Sequence, residues 1–419
     1  MGIATFGKRQ VEQIRQGGRR VFVRKVTQAV QFVLMLPLYV LAVLTVLSIR
    51  LIRPWFLVRW AGLRSDRVGH FSANPELYLC ERDASINMPS RRHVDLLYFG
   101  GKPICNRQLA IMWKRVLRIW PWWVLAPISK VNRLLPGGLD HEIGNNTQSD
   151  RDIHNLLDRF PSHLTFTARE EARGEAGLRA MGISLGAPFV CLAVRDSAYL
   201  DAHMPVADWS YHNYRDSDIQ NYALAAEELA ERGYFVIRTG AKVHEPMKSK
   251  HPRVIDYATN GMRSDFMDVY LAAKCDFCLS GGSGFTAVPL AFRRPIVFVN
   301  GVPFGYLCTF STRYIAITKH HFAVQQNRRL TLEEIFTHGV GYCSLGAEFE
   351  SKGIRLIENT PEEIRDVTME MVERLNGTCL TQEEDETLQS RFWDFFPKDK
   401  LHGRIRSRIG TEFLRQNWV

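Results

Sequence analysis

Between residues 188 and 299, short apolar runs alternate with segments typical of helices. The apolar runs are 188–194, 234–238, 253–257, 277–279 and 295–299, and the helix-like segments between them are 218–232, 264–273 and 285–292. Gly233 supplies the stop for the first helix and Ser264 the cap for the second. Because strands that alternate with helices pair in parallel, this pattern predicts a doubly wound α/β sheet.

The N-terminal half repeats the alternation less regularly. Strands are expected at 56–61 and 95–99, a turn at Gly69-His70, a helix start at Asn74-Pro75-Glu76 and a helix at 106–119. The fold class is therefore α/β. We predict a basic lead-in and anchor helix at 1–53, an N-terminal α/β domain with its linker at 54–186, a C-terminal α/β domain at 187–380, and C-terminal helices at 381–419.

An apolar run with basic flanks precedes the first strand. Residues 26–49 contain no charged side chain, and these 24 residues would reach across a bilayer as a helix at about 1.5 Å each. Between Lys8 and Arg67, twelve Lys and Arg stand against two acidic residues, a block that supplies the whole net charge of +10. Anionic membrane lipid is therefore the expected partner, rather than nucleic acid.

How this run sits at a membrane stays open in the sequence. Pro37 would kink a helix and both flanks are basic, so a single span competes with a bent, re-entrant or interfacial helix. A buried core helix is the third possibility. Basic residues also surround four tryptophans, a pattern typical of an interfacial anchor or of ordinary core tryptophans: Trp113, Trp120, Trp122 and Trp123.

The eight cysteines have no framework spacing, which favours reduced thiols in a cytoplasmic compartment. Cys275 and Cys278 form a lone CxxC without a second ligand pair, so we expect core thiols rather than a zinc site. Asp216-Ser217-Asp218 is more simply a helix cap than a metal clamp. The sequence therefore predicts no metal.

Three strand ends of the C-terminal domain carry groups suited to an anion. The run Ser280-Gly281-Gly282-Ser283-Gly284 lies between a strand and a helix, where glycines admit a ligand to the backbone and the helix N-terminus favours negative charge. Arg195-Asp196 follows the first strand, and Arg238 ends the next. Because the carboxyl ends of parallel strands line the ligand crevice, we expect both arginines and the loop to hold a diphosphate.

The glycine-serine loop is neither a Walker A loop nor a GxGxxG fingerprint, so an ATPase or a dehydrogenase is not supported. A tight structural turn is the alternative for the loop taken alone.

Five stretches make the sequence recognisable: 192–199 (LAVRDSAY), 212–219 (HNYRDSDI), 236–240 (VIRTG), 255–258 (IDYA) and 265–275 (DFMDVYLAAKC). They resemble a bacterial family of GT-B glycosyltransferases, most of them uncharacterised, and the likeness spans residues 56–415. More distantly, Val194-Arg195-Asp196 is similar to the diphosphate-binding arginine motif of GDP-fucose-dependent fucosyltransferases, although Ala193 replaces that family's histidine. The glycine-serine loop is placed as in heptosyltransferases.

The resemblance implies a GT-B fold, with two Rossmann-like domains facing a cleft, and transfer of a hexosyl or deoxyhexosyl group from a nucleotide sugar. The acceptor would be a lipid-linked or cell-surface glycan at the cytoplasmic face of the inner membrane. Transfer is expected to be inverting and metal-independent, with no cofactor besides the GDP-, UDP- or ADP-linked donor. The expected catalytic residues are His70, Asp196 and Arg195, and the expected donor-binding residues are Arg195, Arg238, Gly240, Asp256, Ser280, Gly281, Gly282, Ser283, Gly284, Thr286 and Asn300.

A general base is the least determined part of the expected site. The resemblance places a Gly-His pair at the end of the first strand, where Gly69-His70 stands, and a histidine near its ordinary pKa of about 6.5 could accept a proton at neutral pH. A helix-capping or packing histidine is the alternative for His70, and Asp201, His93 and Asp95 are further candidates for the base. Two rival functions remain: another enzyme on the same fold, such as a pyruvyl transferase or sugar epimerase, and a non-catalytic membrane-bound scaffold or glycan-binding subunit.

Overall fold

The computed structural model describes residues 3–143, 151–203 and 210–418. The chain divides into two compact units, each assembled from several stretches of sequence. The first unit contains Met1–Gly62, Pro89–Gly100 and Arg118–Gly144, and the second contains Leu63–Met88, Gly101–Leu117 and Asn145–Val419. The domain boundaries expected from the sequence remain predictions.

The elements are numbered along the chain. The helices are α1 (Ile3–Ile52), α2 (Val68–Asp83), α3 (Arg107–Val116), α4 (Trp122–Leu134), α5 (Ala168–Ala180), α6 (Ala198–His203), α7 (Ala223–Glu231), α8 (Asp265–Lys274), α9 (Ala287–Ala291), α10 (Leu332–Thr337), α11 (Gly346–Ser351), α12 (Pro361–Asn376), α13 (Glu383–Phe395) and α14 (Thr411–Asn417). The strands are β1 (Leu57–Leu63), β2 (His93–Phe99), β3 (Phe189–Val194), β4 (Phe235–Thr239), β5 (Val254–Ile255), β6 (Phe277–Gly281), β7 (Ile296–Gly301), β8 (Tyr314–Thr318), β9 (His320–Ala323), β10 (Arg328–Arg329), β11 (Ile354–Ile357) and β12 (Arg408–Ile409).

The first unit is built around the C-terminal half of α1. Ala42 and Val46 of this helix are buried with Trp60 of β1 and with apolar residues of α4. Strands β1 and β2 form a two-stranded sheet, and the guanidinium of Arg59 donates to both carboxylate oxygens of Asp95 across it, at 2.8 and 2.6 Å. The described part of this unit therefore has two paired strands, fewer than the parallel sheet of the Rossmann-like domain that the resemblance implies.

Helix α1 is interrupted at Gly18, which has φ +58°, and it carries Pro37 without ending there. As far as their residues are described, none of the helices combines the length and the apolarity needed to cross a membrane. The single span, one of the three arrangements that the sequence left open, therefore has no support.

The second unit contains a seven-stranded sheet in the order β12-β8-β7-β6-β3-β4-β5, and its neighbouring strands pair in parallel. Strand β3 is apolar and buried along its whole length, as expected for a strand covered on both faces. From β5 to β8 the order is that of the doubly wound nucleotide-binding sheet, 3-2-1-4-5-6. The predicted α/β class is confirmed. Strands β9 to β11 form a separate antiparallel sheet.

The N-terminal part of the second unit differs from the prediction. Helix α2 begins at Val68, so Gly69-His70 is helical rather than a turn, and Asn74-Pro75-Glu76 lies inside the helix instead of starting it. Proline has no N–H to donate to the carbonyl four residues earlier. The indole N–H of Trp113 donates to that carbonyl, at Phe71, over 2.8 Å. The buried Trp113 therefore belongs to the core, which is one of the two alternatives that the sequence left open for it.

Candidate functional site

A cavity of about 650 Å³ opens in the second unit at the carboxyl ends of β6 and β7. Its walls include residues 282–284, which follow β6, and residues 298–303, which end and follow β7. The strand order of the sheet changes direction between β3 and β6, and open α/β sheets bind ligands at such a point. The volume lies within the range of roughly 300–1,000 Å³ that is usual for ligand pockets.

The glycine-serine loop forms one wall of the cavity. Gly282 has φ +74°, and a Cβ atom there would meet nothing within 4 Å, so the backbone borders open space. Ser283 caps the following helical segment, since its Oγ accepts the N–H of Phe285 at 3.3 Å. The loop therefore presents backbone, and not bulky side chains, to a ligand.

Two buried hydroxyls hold this loop in shape. The hydroxyls of Ser280 and Thr286 bond to each other, and Ser280 Oγ also accepts the N–H of Gly282 at 3.3 Å. A Cβ atom at Gly281 would lie 2.3 Å from the hydroxyl of Tyr222, so that position requires glycine. Ser280 and Gly281 therefore support the loop from behind, while Gly282, Ser283, Gly284 and Thr286 line the cavity.

The first turn of α2 lies against the loop. A Cβ atom at Gly69 would come within 3.2 Å of the carbonyl oxygen of Gly284. Gly69 also lines the cavity, and in the part of the chain that the structure describes no acceptor is found for its amide N–H. The positive end of a four-turn helix therefore borders the cavity, which favours an anionic ligand.

The charged side chains on the cavity wall are of one sign. Arg151 and Arg215 line it, and among the described residues no Asp or Glu does. The imidazole of His212 also lines the cavity. The guanidinium of Arg215 donates to the carbonyl of Gly282 at 3.3 Å and forms no ion pair with a described carboxylate. Arg151 is held in place by the carbonyl oxygens of Tyr306 and Leu401. This arrangement is suited to an anion.

A third arginine strengthens the positive field beside the cavity. Burial lowers the pKa of Arg195, and the nearby charge of Arg215 lowers it further. Its Nε donates to the carboxylate of Asp216 at 3.2 Å. Burial also lowers the pKa of His212, as do the charges of Arg195, Arg215 and Arg67. His212 is therefore neutral at pH 7.

The rest of the wall is largely apolar and aromatic. It includes Leu290, Phe298, Leu307, Tyr214 and Tyr306. Flat apolar groups stack favourably on such side chains. The cavity therefore suits a ligand that joins a flat ring system to an anionic group.

Arg238 lies away from the cavity, contrary to the expectation that it faces the ligand. It is 1% exposed within the sheet, and its guanidinium donates to the carboxylate of Asp256 and the carbonyl of Glu245, each at 3.2 Å. Asp256 also accepts the N–H of Met247 at 2.9 Å. A Cβ atom at Gly240 would clash with Val243 at 2.7 Å. Arg238, Asp256 and Gly240 thus fasten the connection between β4 and β5.

The expected catalytic residues are not gathered in the cavity. The carboxylate of Asp196 accepts the N–H of Ala198 at 3.0 Å and that of His244 at 3.2 Å, which commits both oxygens to the backbone. His70 is half-buried beside Gly69, and neither it nor Arg195 is among the lining residues. Asp201 is exposed and contacts the hydroxyl of Ser197 at 2.8 Å.

Asn300 contributes backbone rather than an amide to the wall. Its side-chain oxygen accepts the N–H of Asn359 at 2.7 Å, and its side-chain nitrogen donates to the hydroxyl of Tyr222 at 3.2 Å. Asn359 in turn accepts the N–H of Asn300 at 2.7 Å. This buried pair fixes the end of β7, so the side chain of Asn300 has a structural role.

Three lining residues were missed as site residues. His212 and Arg215 lie within the stretch 212–219 that carries part of the resemblance, so the resemblance could have identified them as site residues. Arg151 reaches the cavity from the polar segment before β3, and no motif in the sequence around it predicts a site residue. Their convergence depends on tertiary structure.

Only one group of three potential metal ligands is found among the described residues, and an arginine side chain forms an ion pair with one of them. Glu76, Cys80 and His163 form the group, and the guanidinium of Arg293 lies 2.6 Å from the Glu76 carboxylate. Burial would lower the pKa of His163, but hydrogen bonds to Cys80 and Glu76 raise it to about 10. A protonated imidazole does not bind a metal.

The CxxC pair lies in the core of the second unit. Cys275 and Cys278 are both fully buried among apolar residues. Their prediction as core thiols is confirmed.

No family model matches the chain, and none of the curated proteins does. Solved structures that resemble it include a family 9 glycosyl transferase from Veillonella parvula, with 10% identity, a TM-score of 0.42, and coverage of 76% of this chain and 96% of that one. E. coli ADP-heptose LPS heptosyltransferase II has 14% identity and a TM-score of 0.40, covering 76% and 98%. An E. coli heptosyltransferase solved with ADP-2-deoxy-2-fluoro heptose has 12% identity and a TM-score of 0.31, covering 62% and 92%. Similarity at this level assigns no function to the chain.

Proposed function

We propose that the protein is a glycosyltransferase that takes a sugar from a nucleoside-diphosphate-linked donor. The observation that carries the proposal is the cavity at the switch point of the parallel sheet, lined by Arg151, Arg215 and a glycine-serine loop and, among the described residues, by no carboxylate. A cationic, water-accessible pocket with aromatic walls suits a nucleoside diphosphate.

The diphosphate would lie against the loop at Gly282–Gly284 and accept hydrogen bonds from Arg215 and from backbone N–H groups. Tyr306 and Phe298 would contact the nucleoside. Arg195 would act through the field it creates beside Arg215, since its own guanidinium bonds to Asp216. This assigns to Arg215 the direct contact that the sequence alone assigned to Arg195 and Arg238.

In the reaction, the bond between the anomeric carbon and the diphosphate oxygen breaks while the acceptor oxygen bonds to that carbon. Negative charge then grows on the departing diphosphate. Fixed cations and backbone dipoles around the leaving group stabilise such charge more in the transition state than in the ground state. Inversion without a metal remains part of the proposal, and EDTA is then expected to leave turnover unchanged.

His212 is the best-placed candidate for the group that accepts the proton of the acceptor hydroxyl. It lines the cavity, and its lowered pKa keeps the imidazole neutral at pH 7. A base must be deprotonated, so activity should persist below pH 6.5 and fall as the pH drops through the pKa of His212. The pH profile of kcat/KM checks this expectation, and His212→Gln should lower kcat by about 100-fold or more with little change in KM. An unchanged kcat would return the role to His70 or Asp196.

The acceptor is proposed to be a lipid-linked or cell-surface glycan, and the transferred group a hexosyl or deoxyhexosyl residue. The site is proposed to act within a two-domain GT-B fold at the cytoplasmic face of the inner membrane.

The decisive experiment is a thermal-shift screen of GDP-, UDP-, ADP-, dTDP- and CMP-linked sugars. One donor is expected to raise the thermal midpoint clearly, its nucleoside diphosphate to do so nearly as well, and its nucleoside alone to have little effect. The selected donor is then followed with glycan acceptors for release of the nucleoside diphosphate. Conversion of the donor sugar without its release would indicate an epimerase, and the absence of any shift would favour a non-catalytic scaffold.

A further inference from the structure

Helix α1 has an apolar side that no described residue of the first unit covers. Tyr39, Ala42, Val46 and Ile49 recur at helical spacing and face the core of the unit. The opposite side, which we call the outward stripe, consists of Val40, Leu44, Leu47 and Leu51, all exposed. A helix that faces water carries polar residues on its outer side. The outward stripe is therefore built for an apolar neighbour.

A second exposed apolar group belongs to the same unit. Trp120, Trp122 and Trp123, which we call the tryptophan cluster, are exposed at the start of α4, and Trp55 after α1 is 75% exposed. Tryptophan is enriched where hydrocarbon meets lipid headgroups, because its ring is apolar and its N–H is polar. An accumulation of exposed tryptophans of this kind is unusual for a surface that faces only water.

The charge of the first unit complements an anionic surface. Its sequence contains fifteen Lys and Arg against four Asp and Glu, which gives a net charge of +11. The net charge of the whole chain is +10, so the second unit is close to neutral. Between Phe22 and Gly62 there is no acidic residue at all. Arg118 and Lys130 are exposed near the tryptophan cluster in sequence, and neither forms an ion pair with a described carboxylate. Basic residues beside apolar ones favour the headgroups of anionic lipids.

We propose that the outward stripe and the tryptophan cluster insert into one leaflet of a bilayer that contains anionic lipid, with α1 lying along the membrane surface. A helix that spans a bilayer alone is surrounded by lipid, whereas the inner side of α1 is covered by Trp60 and by α4 of its own unit. Only the outward side of α1 is thus available for contact with lipid. This proposal is independent of the sugar-transfer function.

The test is flotation of the full chain with preformed vesicles. Vesicles of phosphatidylglycerol mixed with phosphatidylcholine should carry the protein upward, and pure phosphatidylcholine should carry much less. The pair Leu44→Glu and Leu47→Glu should lower the bound fraction by about tenfold or more, and so should Trp120→Ser, Trp122→Ser and Trp123→Ser together. Leu380→Glu, at a residue that is 92% exposed in the second unit, is the matched control and should bind as the unmodified chain does.

Two readouts separate the proposal from its rivals. Thermal melting shows whether each variant is folded. If the variant with two leucines changed to glutamate does not fold, the variant with three tryptophans changed to serine tests the proposal independently. A protease-cleavable tag placed before Met1 should remain cleavable from outside the vesicles. Absence of flotation, equal flotation of all variants, a protected tag, or a soluble oligomer that buries the tryptophan cluster would each overturn the proposal.

Discussion

Arg215→Gln is expected to raise the dissociation constant of the nucleoside diphosphate by about ten- to a hundredfold. The guanidinium of Arg215 lies on the cavity wall and bonds only weakly to the carbonyl of Gly282, at 3.3 Å. A hydrogen bond between charged partners contributes about 1.5–3 kcal/mol, which corresponds to that factor. Isothermal calorimetry with the diphosphate selected by the donor screen measures the change.

Two control variants separate a direct contact between Arg215 and the diphosphate from a general effect of the protein's positive charge. Arg179→Gln removes one positive charge from an exposed position on α5 and should leave the affinity unchanged. Arg215→Lys keeps the charge but loses the planar fork, so an intermediate affinity is expected. The thermal midpoint without ligand should hardly move, because no ion pair with a described carboxylate is lost. An equal loss of affinity in Arg179→Gln would contradict a specific role for Arg215.

Arg238→Met is expected to destabilise the protein without affecting the ligand site. Removing one partner of a buried ion pair costs about 3–5 kcal/mol, because the other charge stays buried alone. Arg238 is buried and Asp256 is nearly so, with side-chain exposures of 1% and 16%. The thermal midpoint should therefore fall by roughly 10 °C. Differential scanning calorimetry measures the fall.

Arg232→Met provides the comparison for Arg238→Met, since Arg232 forms an exposed ion pair with Glu228 on α7. Its expected cost is below about 1 kcal/mol. At a temperature where Arg238→Met is folded, its affinity for the diphosphate should equal that of the unmodified chain. A large loss of affinity with an unchanged midpoint would instead restore the sequence-based role of Arg238 as a ligand contact.

The sequence predicted the parallel sheet and the glycine-serine loop because both have local signals. Apolar runs of strand length recur between helix-like segments, and the loop concentrates glycines directly after one of them. The position of a strand end is harder to predict. The apolar run 234–238 places the end of the strand at Arg238, whereas β4 continues to Thr239. Arg238 thus remains inside the sheet, where its charge needs Asp256.

The cavity itself could not be predicted residue by residue. Arg151, His212 and Arg215 come from irregular segments, and only the tertiary structure brings them to the loop after β6. The role of α2 was missed for a related reason. Asn74-Pro75-Glu76 has the composition of a helix start, and the compensation that allows Pro75 inside the helix lies on another element, at Trp113.

The hydrogen bond from Trp113 to Phe71 makes two distant positions depend on each other. A residue with an amide N–H at position 75 would restore the regular helical bond to Phe71, whose carbonyl oxygen would then no longer depend on the indole. Phenylalanine at position 113 would instead remove the described donor that replaces the one proline lacks. Loss of the indole is thus unfavourable as long as position 75 is proline, so related chains that keep this proline should keep the tryptophan as well.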